Sequence, residues 1–206
     1  MNTTDSTYAA HRLFVAENDQ QHTLEVYLDY TCPFSAKLWR TLTAEVIPYL
    51  TETSQGLTVI FRHQVQPWHP ASTLLHEASL AVEKLNPSGF VPFSQALFEH
   101  QREYFDEANV ETTRTETYRQ LADLAASINA IDDRQAMLQL LDIQANNAEP
   151  RNAGNAVTND LKYHIRFARA KAVHVSPTVA IDGVIDDSVS SSWSLEQWKA
   201  WLAEKS

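Results

Sequence analysis

One short segment of the chain, Cys32-Pro33-Phe34-Ser35, combines residue types that could carry out thiol chemistry. It follows a β-rich stretch and opens a helical pattern, where proline suits the first turn because its missing N–H is not needed. Unpaired N–H groups and the positive end of the helix dipole stabilise an anion there, so we expect the pKa of the Cys32 thiol to lie below the free value of about 8.5. Ser35, one turn further on, could donate a hydrogen bond to the sulfur. A free cysteine is also often an inert buried side chain, which is the alternative interpretation.

A second feature is the segment Ser176-Pro177-Thr178, which stands directly before a predicted strand and far along the chain from Cys32. Only about 5–6% of X–Pro bonds in folded proteins are cis, so a trans proline that ends the preceding helix is the default expectation. The residue types alone leave the isomer of this bond open.

The loop of residues 64–70 contains Trp68 and His69 and follows an apolar strand pattern. Ligands of parallel α/β sheets gather beyond the carboxyl ends of the strands, so we expect both side chains to border the site. An imidazole with an ordinary pKa near 6.5 suits proton transfer or pairing with a thiolate, although a loop histidine is more often simply exposed. The remaining histidines show no His-x-x-x-His spacing, so no metal site is predicted.

The composition excludes several classes of partner. The chain has 206 residues, with 26 acidic against 16 basic side chains and a formal net charge of −10. A protein with this negative charge repels phosphate backbones and anionic lipid headgroups, so neither nucleic acid nor a membrane surface is expected as a partner. No apolar run approaches the roughly 18 residues of a spanning helix, and the first twenty residues lack a secretory signal pattern, so the expected location is cytoplasmic.

The single cysteine excludes an internal disulfide and any cysteine-based zinc or iron–sulfur cage.

The elements that would position these residues alternate between strand and helix at both ends of the chain. β-Rich or apolar runs predict strands, and apolar residues at three- and four-residue steps predict helices. These patterns predict, in chain order, a short strand within 11–16, a strand at 24–30, a helix from Pro33, a strand at 57–61, a helical block over 71–172, a turn and strand over 173–181, a hairpin through Asp182-Gly183 into 184–185, and a last helix with Trp198 and Trp201 in the core. The order is therefore β-α-β, a helical block, then β-β-α.

This order, together with the Cys-Pro-x-Cys-like start of the first helix and the Val-Ser-Pro-Thr-Val strand, resembles the thioredoxin-like superfamily, and in particular its DsbA-like branch. The resemblance covers about residues 12–205. It implies an α/β, thioredoxin-like fold with a large all-helical insertion. The thioredoxin-like domain would be discontinuous, formed by residues 1–65 and 173–206, and the insertion would span residues 66–172.

The resemblance also implies roles for individual residues. In that family the proline matching Pro177 is cis and packs against the active cysteine, and the residue before it, here Ser176, offers its backbone to a bound peptide or thiol. Cys32 and Ser35 are then the catalytic candidates. The substrate-binding candidates are the residues expected around them: Pro33, Phe34, Trp68, His69, Ser176 and Pro177.

The chain departs from the family pattern at two positions. Ser35 stands where the family has a resolving cysteine, and a monothiol stops at the mixed disulfide until an outside thiol releases it. Family members often carry a buried acid six positions before the cysteine, where this chain has Val26. Asp29 is nearer to Cys32, and we interpret it as a solvated or hydrogen-bonded residue at a strand end rather than as a proton relay.

Three hypotheses for function follow. The first is a monothiol thiol–disulfide oxidoreductase or isomerase that acts through a mixed disulfide at Cys32, with no tightly bound cofactor, glutathione as a co-substrate, and a thiol or disulfide as partner. The second is a glutathione-dependent enzyme, because the motif also resembles kappa-class glutathione transferases and hydroxychromene-carboxylate isomerases. Those families show Ser-Pro-Tyr-Ser, whose first serine activates the sulfur of glutathione and corresponds to Cys32. The third is a redox-inactive thioredoxin-like binding module.

Overall fold

The computed structural model of the chain describes residues 6–16, 22–53, 56–143 and 152–205. The strands in that part are β1 (Arg12–Phe14), β2 (His22–Leu28), β3 (Leu57–His63), β4 (Thr178–Ile181) and β5 (Val184–Ile185). The α-helices are α1 (Pro33–Thr41), α2 (Ile47–Thr53), α3 (Ser72–Leu85), α4 (Phe90–Glu99), α5 (Asp106–Asn109), α6 (Arg114–Ser127), α7 (Arg134–Leu141), α8 (Thr158–Ala170) and α9 (Leu195–Lys205). Short 3₁₀ turns occur at Ser6–His11, Pro87–Gly89 and Gln101–Tyr104, and a π-helical turn at Leu42–Val46 joins α1 to α2.

All five strands form one sheet in the order β1-β3-β2-β4-β5. The central pair, β2 and β3, is parallel, and both strands are almost entirely buried, as their apolar runs predict. The other pairs are antiparallel. The predicted hairpin between β4 and β5 is confirmed: Asp182 and Gly183 have φ angles of 50° and 78°, the positive values that a two-residue turn of this kind requires.

The helices pack against one another, and the sheet and the helices share one core. Helix α1 starts at Pro33 as predicted and buries Leu38 and Trp39 against the core. Helices and helical turns occupy the described part of residues 71–172, where no strand occurs, and α8 packs against β3. In α9, Trp198 and Trp201 are buried, which confirms that they are core residues. One continuous hydrophobic cluster joins the sheet to the helical block, and the exact limits of the two predicted domains stay a prediction.

Within the described residues, every helix is too short or too polar to cross a lipid bilayer.

Candidate active site around Cys32

Cys32 lies at the N-cap of α1, immediately after the turn that follows β2. Its backbone N–H donates to the Asp29 carbonyl at 3.1 Å, and its own carbonyl accepts from the Ala36 N–H at 3.1 Å, so the helix begins directly behind the thiol. The side-chain amide of Gln101 donates to the carbonyls of Tyr30 and Cys32, at 3.0 and 3.4 Å. The cysteine loop is therefore fixed from both the sheet and the helical block.

The thiol faces the segment that precedes β4. Its Sγ donates to the Ser176 carbonyl oxygen at 3.4 Å, and the Ser176–Pro177 peptide bond is cis, the isomer that the resemblance implies. The hydroxyl of Thr178 donates to the Val175 carbonyl at 2.8 Å and closes the turn on the other side of the proline. Cys32, Ser176 and Pro177, which lie far apart in the sequence, are thus brought together at one end of the sheet.

Ser35 has a different partner from the one that the sequence predicts. Its side chain is completely buried, and its Oγ accepts a hydrogen bond from the Asp29 N–H at 3.2 Å. Among the described residues no hydrogen bond joins Ser35 to the sulfur of Cys32. The expected activation of the thiol by Ser35 is therefore not seen, and the serine instead ties α1 to the end of β2.

Two large apolar candidates lie on the surface. The side chain of Phe34, next to Pro33 in the first turn of α1, is 62% exposed, and that of Trp68 is 58% exposed. Cys32 itself is only 4% exposed, so the thiol is buried, as the alternative interpretation of the sequence expects. Exposed aromatic side chains of this size are suited to contact a partner molecule.

Asp29 is buried and hydrogen-bonded rather than solvated. Its Oδ1 accepts from the N–H and hydroxyl of Thr31, and its Oδ2 accepts from the Gln66 N–H, from His69 Nδ1 and from the Ser72 hydroxyl. Burial alone would raise the pKa of Asp29, but the nearby His76 and the hydrogen bonds from Thr31 and His69 hold this pKa below its ordinary value. The carboxylate thus joins the cysteine loop to the loop that follows β3.

A cleft of about 340 Å³ opens beside the cysteine loop. Its lining residues come from that loop, from the loop after β3 and from the helical block: Thr31, Pro33, His69, Tyr104, Phe105, Asp106 and Glu107. Burial, with a smaller contribution from Glu103, raises the pKa of Tyr104 to about 12, so its hydroxyl stays protonated at neutral pH. His69 therefore lies where the sequence analysis expects it, whereas the residues of the helical block were missed because nothing near them in sequence points to Cys32.

Position 26, where DsbA-like proteins often carry a buried acid, holds an apolar valine in this chain. Val26 is fully buried in the main core. The neighbouring Glu25 points to the other face of β2, since successive side chains of a strand alternate. There its Oε1 forms a buried ion pair at 2.6 Å with Nη2 of Arg62 from β3. Glu25 therefore lies on the opposite face of β2 from Val26 and is paired with Arg62, so it does not take the place of the acid that is missing at position 26.

The prediction that there is no metal site rests on histidine spacing along the sequence, and this spacing does not reveal a group of three histidines that the fold brings together. His11, His63 and His164 each offer a ring nitrogen, and these nitrogens lie within 4.8 Å of one another in the protein interior. They come from a turn, a strand and a helix that are far apart in sequence. A local spacing rule cannot detect such a group.

Comparison with known proteins gives matches among solved structures. No protein-family model and no curated protein matches the chain. A candidate protein-disulfide isomerase from Pseudomonas syringae is 23% identical, with 88% of this chain and 93% of that chain covered and a TM-score of 0.66. The thiol-disulfide oxidoreductase MdbA from Corynebacterium diphtheriae is 19% identical (87% and 84% covered, TM-score 0.60). The thiol-disulfide exchange protein alpha-DsbA2 from Wolbachia pipientis is 17% identical (93% and 86% covered, TM-score 0.61).

These similarities extend over most of both chains and establish the fold. The protein has the α/β, thioredoxin-like fold with a helical insertion that the sequence predicts, in its DsbA-like form. At this level of identity, function has to be argued from the residues of the site.

Proposed function

We propose that the protein is a monothiol thiol–disulfide oxidoreductase or isomerase that acts through a mixed disulfide at Cys32. The observation that carries this proposal is the placement of the Cys32 sulfur at the N-cap of α1, 3.4 Å from the Ser176 carbonyl and beside the cis Pro177. A helix N-terminus favours the thiolate over the thiol. The backbone before Pro177 is then available to align an extended peptide or a thiol against the attacking sulfur.

The proposed reaction has two exchange steps. The Cys32 thiolate attacks one sulfur of a substrate disulfide, a new S–S bond forms to Cys32, and the second substrate sulfur leaves as a thiolate that takes up a proton. A second thiol then attacks the substrate sulfur of the mixed disulfide and restores the Cys32 thiolate. When this thiol belongs to the substrate, the net result is isomerisation. When it is glutathione, the products are one substrate thiol and a substrate–glutathione disulfide, and a second glutathione completes the reduction by releasing the substrate thiol and oxidised glutathione. Because Cys32 is the only cysteine, no internal thiol can perform the second step.

Further residues are candidates for substrate binding. Phe34, two residues after Cys32, and Trp68, next to the cleft-lining His69, are exposed and offer apolar contacts, and Ser176 and Pro177 offer backbone. His69, held by Asp29, lines the adjacent cleft and is the candidate for transferring a proton to the leaving thiolate. The proposal includes glutathione as a co-substrate without a tightly bound cofactor, a thiol or disulfide partner rather than nucleic acid or membrane, and a cytoplasmic location.

The test is the mass of the intact protein after incubation with oxidised glutathione. We expect the addition of a single glutathione to the native chain, its removal by dithiothreitol, and no addition to the Cys32→Ala variant. The same two proteins are then compared in the reactivation of scrambled ribonuclease with glutathione present, where only the native chain should accelerate recovery. An unmodified native chain at every pH between 6 and 9 contradicts the proposal.

A glutathione-dependent transferase or isomerase is the second candidate, and the cleft beside Cys32 favours it. A volume of about 340 Å³ falls in the range of small-ligand sites, and Thr31 and Pro33 line it on either side of the cysteine in sequence. Titration of reduced glutathione against the tryptophan fluorescence separates the candidates. Saturable binding to the native chain without any mass increase supports this second function, whereas a covalent adduct with the oxidised tripeptide supports the first. A redox-inactive binding module would give neither signal.

A further inference from the structure

Four histidines are buried together between the sheet and the helical block. His11 ends the first 3₁₀ turn, His63 ends β3, His76 lies on α3 and His164 lies on α8, and each is at most 2% exposed. The rings of His11, His63 and His164 are within 5.0 Å of one another, centroid to centroid. These three also bring one ring nitrogen each within 4.8 Å of the others.

Each of these three rings keeps a buried nitrogen without a hydrogen-bond partner. The atoms are Nδ1 of His11, Nε2 of His63 and Nε2 of His164. Buried polar atoms in folded proteins are nearly always paired, so an unpaired one calls for an explanation such as a bound ion. Three such atoms, on three rings whose centroids lie within 5.0 Å of one another, form a set that a common ligand would satisfy.

The opposite sides of two of the rings are held by neighbours. Nε2 of His11 lies 3.0 Å from a carboxylate oxygen of Glu83, and Nδ1 of His63 lies 2.6 Å from Nδ1 of His76. When Glu83 accepts the Nε2–H of His11, the lone pair of that ring is on Nδ1, which is the unpartnered atom. When His63 donates its Nδ1–H to His76, the lone pair of His63 is on its unpartnered Nε2. Metal-ligating histidines are oriented in this way, with the second ring nitrogen donating to a carboxylate or another acceptor.

We propose that His11, His63 and His164 form a buried binding site for a divalent late transition-metal cation. Three imidazole nitrogens suit Zn²⁺, Cu²⁺ or Ni²⁺, whereas Ca²⁺ and Mg²⁺ require oxygen ligands. Glu83, whose Oε2 lies 3.0 Å from Nε2 of His11, stands beside the site and holds that ring in place. The bound cation would join the N-terminal turn to β3 and α8, and it is independent of the thiol because Cys32 is not among the ligands.

The metal has to enter while the chain folds, because the ligands are buried. The test therefore refolds the native chain with and without Zn²⁺, removes free metal by gel filtration, and measures zinc content and thermal unfolding. We expect a single equivalent of zinc and a higher Tm in the loaded protein, since a ligand that binds only the folded state stabilises it. X-ray absorption of the loaded native chain should give about three imidazole nitrogens at about 2.0–2.1 Å and no sulfur neighbour.

Variants that keep the ring shape identify the ligands. His63→Phe and His164→Phe replace an imidazole with a ring that cannot bind metal, and each should abolish zinc retention, whereas the exposed His100→Gln should retain zinc like the native chain. A native chain that refolds without holding zinc, or zinc held with sulfur or oxygen ligands only, overturns the proposal. Zinc retention that is unchanged in a folded Phe variant also overturns it. If neither variant folds, the X-ray absorption of the native chain decides alone. About three imidazole nitrogens around the zinc support the three-histidine site, and a smaller number contradicts it.

Discussion

The Nδ1 atom of His69 lies 3.1 Å from Oδ2 of Asp29, so a fully buried carboxylate orients the imidazole that lines the cleft beside Cys32. Donation of the Nδ1–H to the carboxylate leaves the lone pair of the ring on Nε2. The same carboxylate accepts from Thr31, which precedes the cysteine, and from Ser72, which begins α3. One buried charge therefore connects the cysteine loop, the histidine loop and the helical block.

The Asp29→Asn variant should lose several of the hydrogen bonds that the Asp29 carboxylate accepts from the three segments. An amide has only one acceptor oxygen, and its NH₂ group would face hydrogen-bond donors where the carboxylate accepts. We expect a loss of about 2–4 kcal/mol in the free energy of unfolding, because several hydrogen bonds to a buried charged group are broken at once. Urea denaturation followed by tryptophan fluorescence measures this loss. The exposed Asp187→Asn is the matched control and should change stability by no more than about 0.5 kcal/mol. Equal stability of the two variants would contradict the role assigned to Asp29.

The buried histidines should make the metal-free chain sensitive to mild acid. Burial is the main cause that lowers the pKa of His11 to about 3 and of His76 to about 4, and it also lowers the pKa of His63 and His164. In the unfolded chain these groups titrate near 6.5, so below that pH the unfolded state binds more protons and stability falls as the pH falls. For His11 and His76 the loss between pH 7 and pH 5 is about 2 kcal/mol each.

The urea midpoint at pH 7, 6 and 5 measures this dependence. The midpoint should fall continuously over the range, and a midpoint that is constant from pH 7 to pH 5 would mean that the histidines are hydrated or already protonated in the folded chain. A parallel series on the His76→Phe variant should show a shallower fall, because one of the groups that takes up a proton on unfolding is removed.

The Ser35→Cys variant should convert the monothiol site into a dithiol site. Position 35 lies in the first turn of α1, three residues after the N-cap cysteine, which is the spacing of redox-active Cys-x-x-Cys motifs. We expect mild oxidation to form a disulfide between positions 32 and 35, and we expect the variant to complete exchange cycles without glutathione. A count of free thiols before and after oxidation, together with intact mass, measures the bond.

The matched control for that experiment is Ser35→Ala, which loses the same hydroxyl and its hydrogen bond from Asp29 without adding a thiol. It should keep a single free thiol and still depend on glutathione. If two free thiols persist in the Ser35→Cys variant after oxidation, the sulfurs at positions 32 and 35 cannot come close enough to form a disulfide. The prediction that this site can act as a dithiol site would then be contradicted.

The order of strands and helices and the start of α1 after Cys32 were accessible from the sequence because their signals are local, whereas the placement of Pro177 beside Cys32 was implied only by the family resemblance. The apolar run of β3, the Asp182-Gly183 turn and the proline after Cys32 each restrict the backbone through their own residue types. The position of Glu25 was not accessible, because the family pattern directs attention to position 26, and a shift by one residue moves a side chain to the other face of the strand. That is why the acid pairs with Arg62 and does not lie behind the thiol.

Long-range contacts account for the remaining differences. Gln101, which fixes the cysteine loop, belongs to the helical block and carries no signal that connects it to Cys32. The sequence predicts that the hydroxyl of Ser35 donates to the sulfur because the two residues are one turn apart, but Ser35 is completely buried and its Oγ accepts from the backbone N–H of Asp29. Buried donors and acceptors are satisfied by whatever the fold brings near, and this depends on tertiary packing.

The last prediction concerns Trp68, whose side chain is largely exposed in the loop after β3. An exposed tryptophan contributes little to folding, but its ring provides a large contact area for a bound peptide. Trp68→Ala should therefore raise KM for a peptide disulfide about tenfold while kcat stays close to the native value, since a contact shared by substrate and transition state affects binding alone. Val110→Ala, which shortens another exposed apolar side chain, is the control and should leave KM unchanged. A fall in kcat without a change in KM would place Trp68 in the chemical step, and equal kinetics for both variants would remove it from the binding surface.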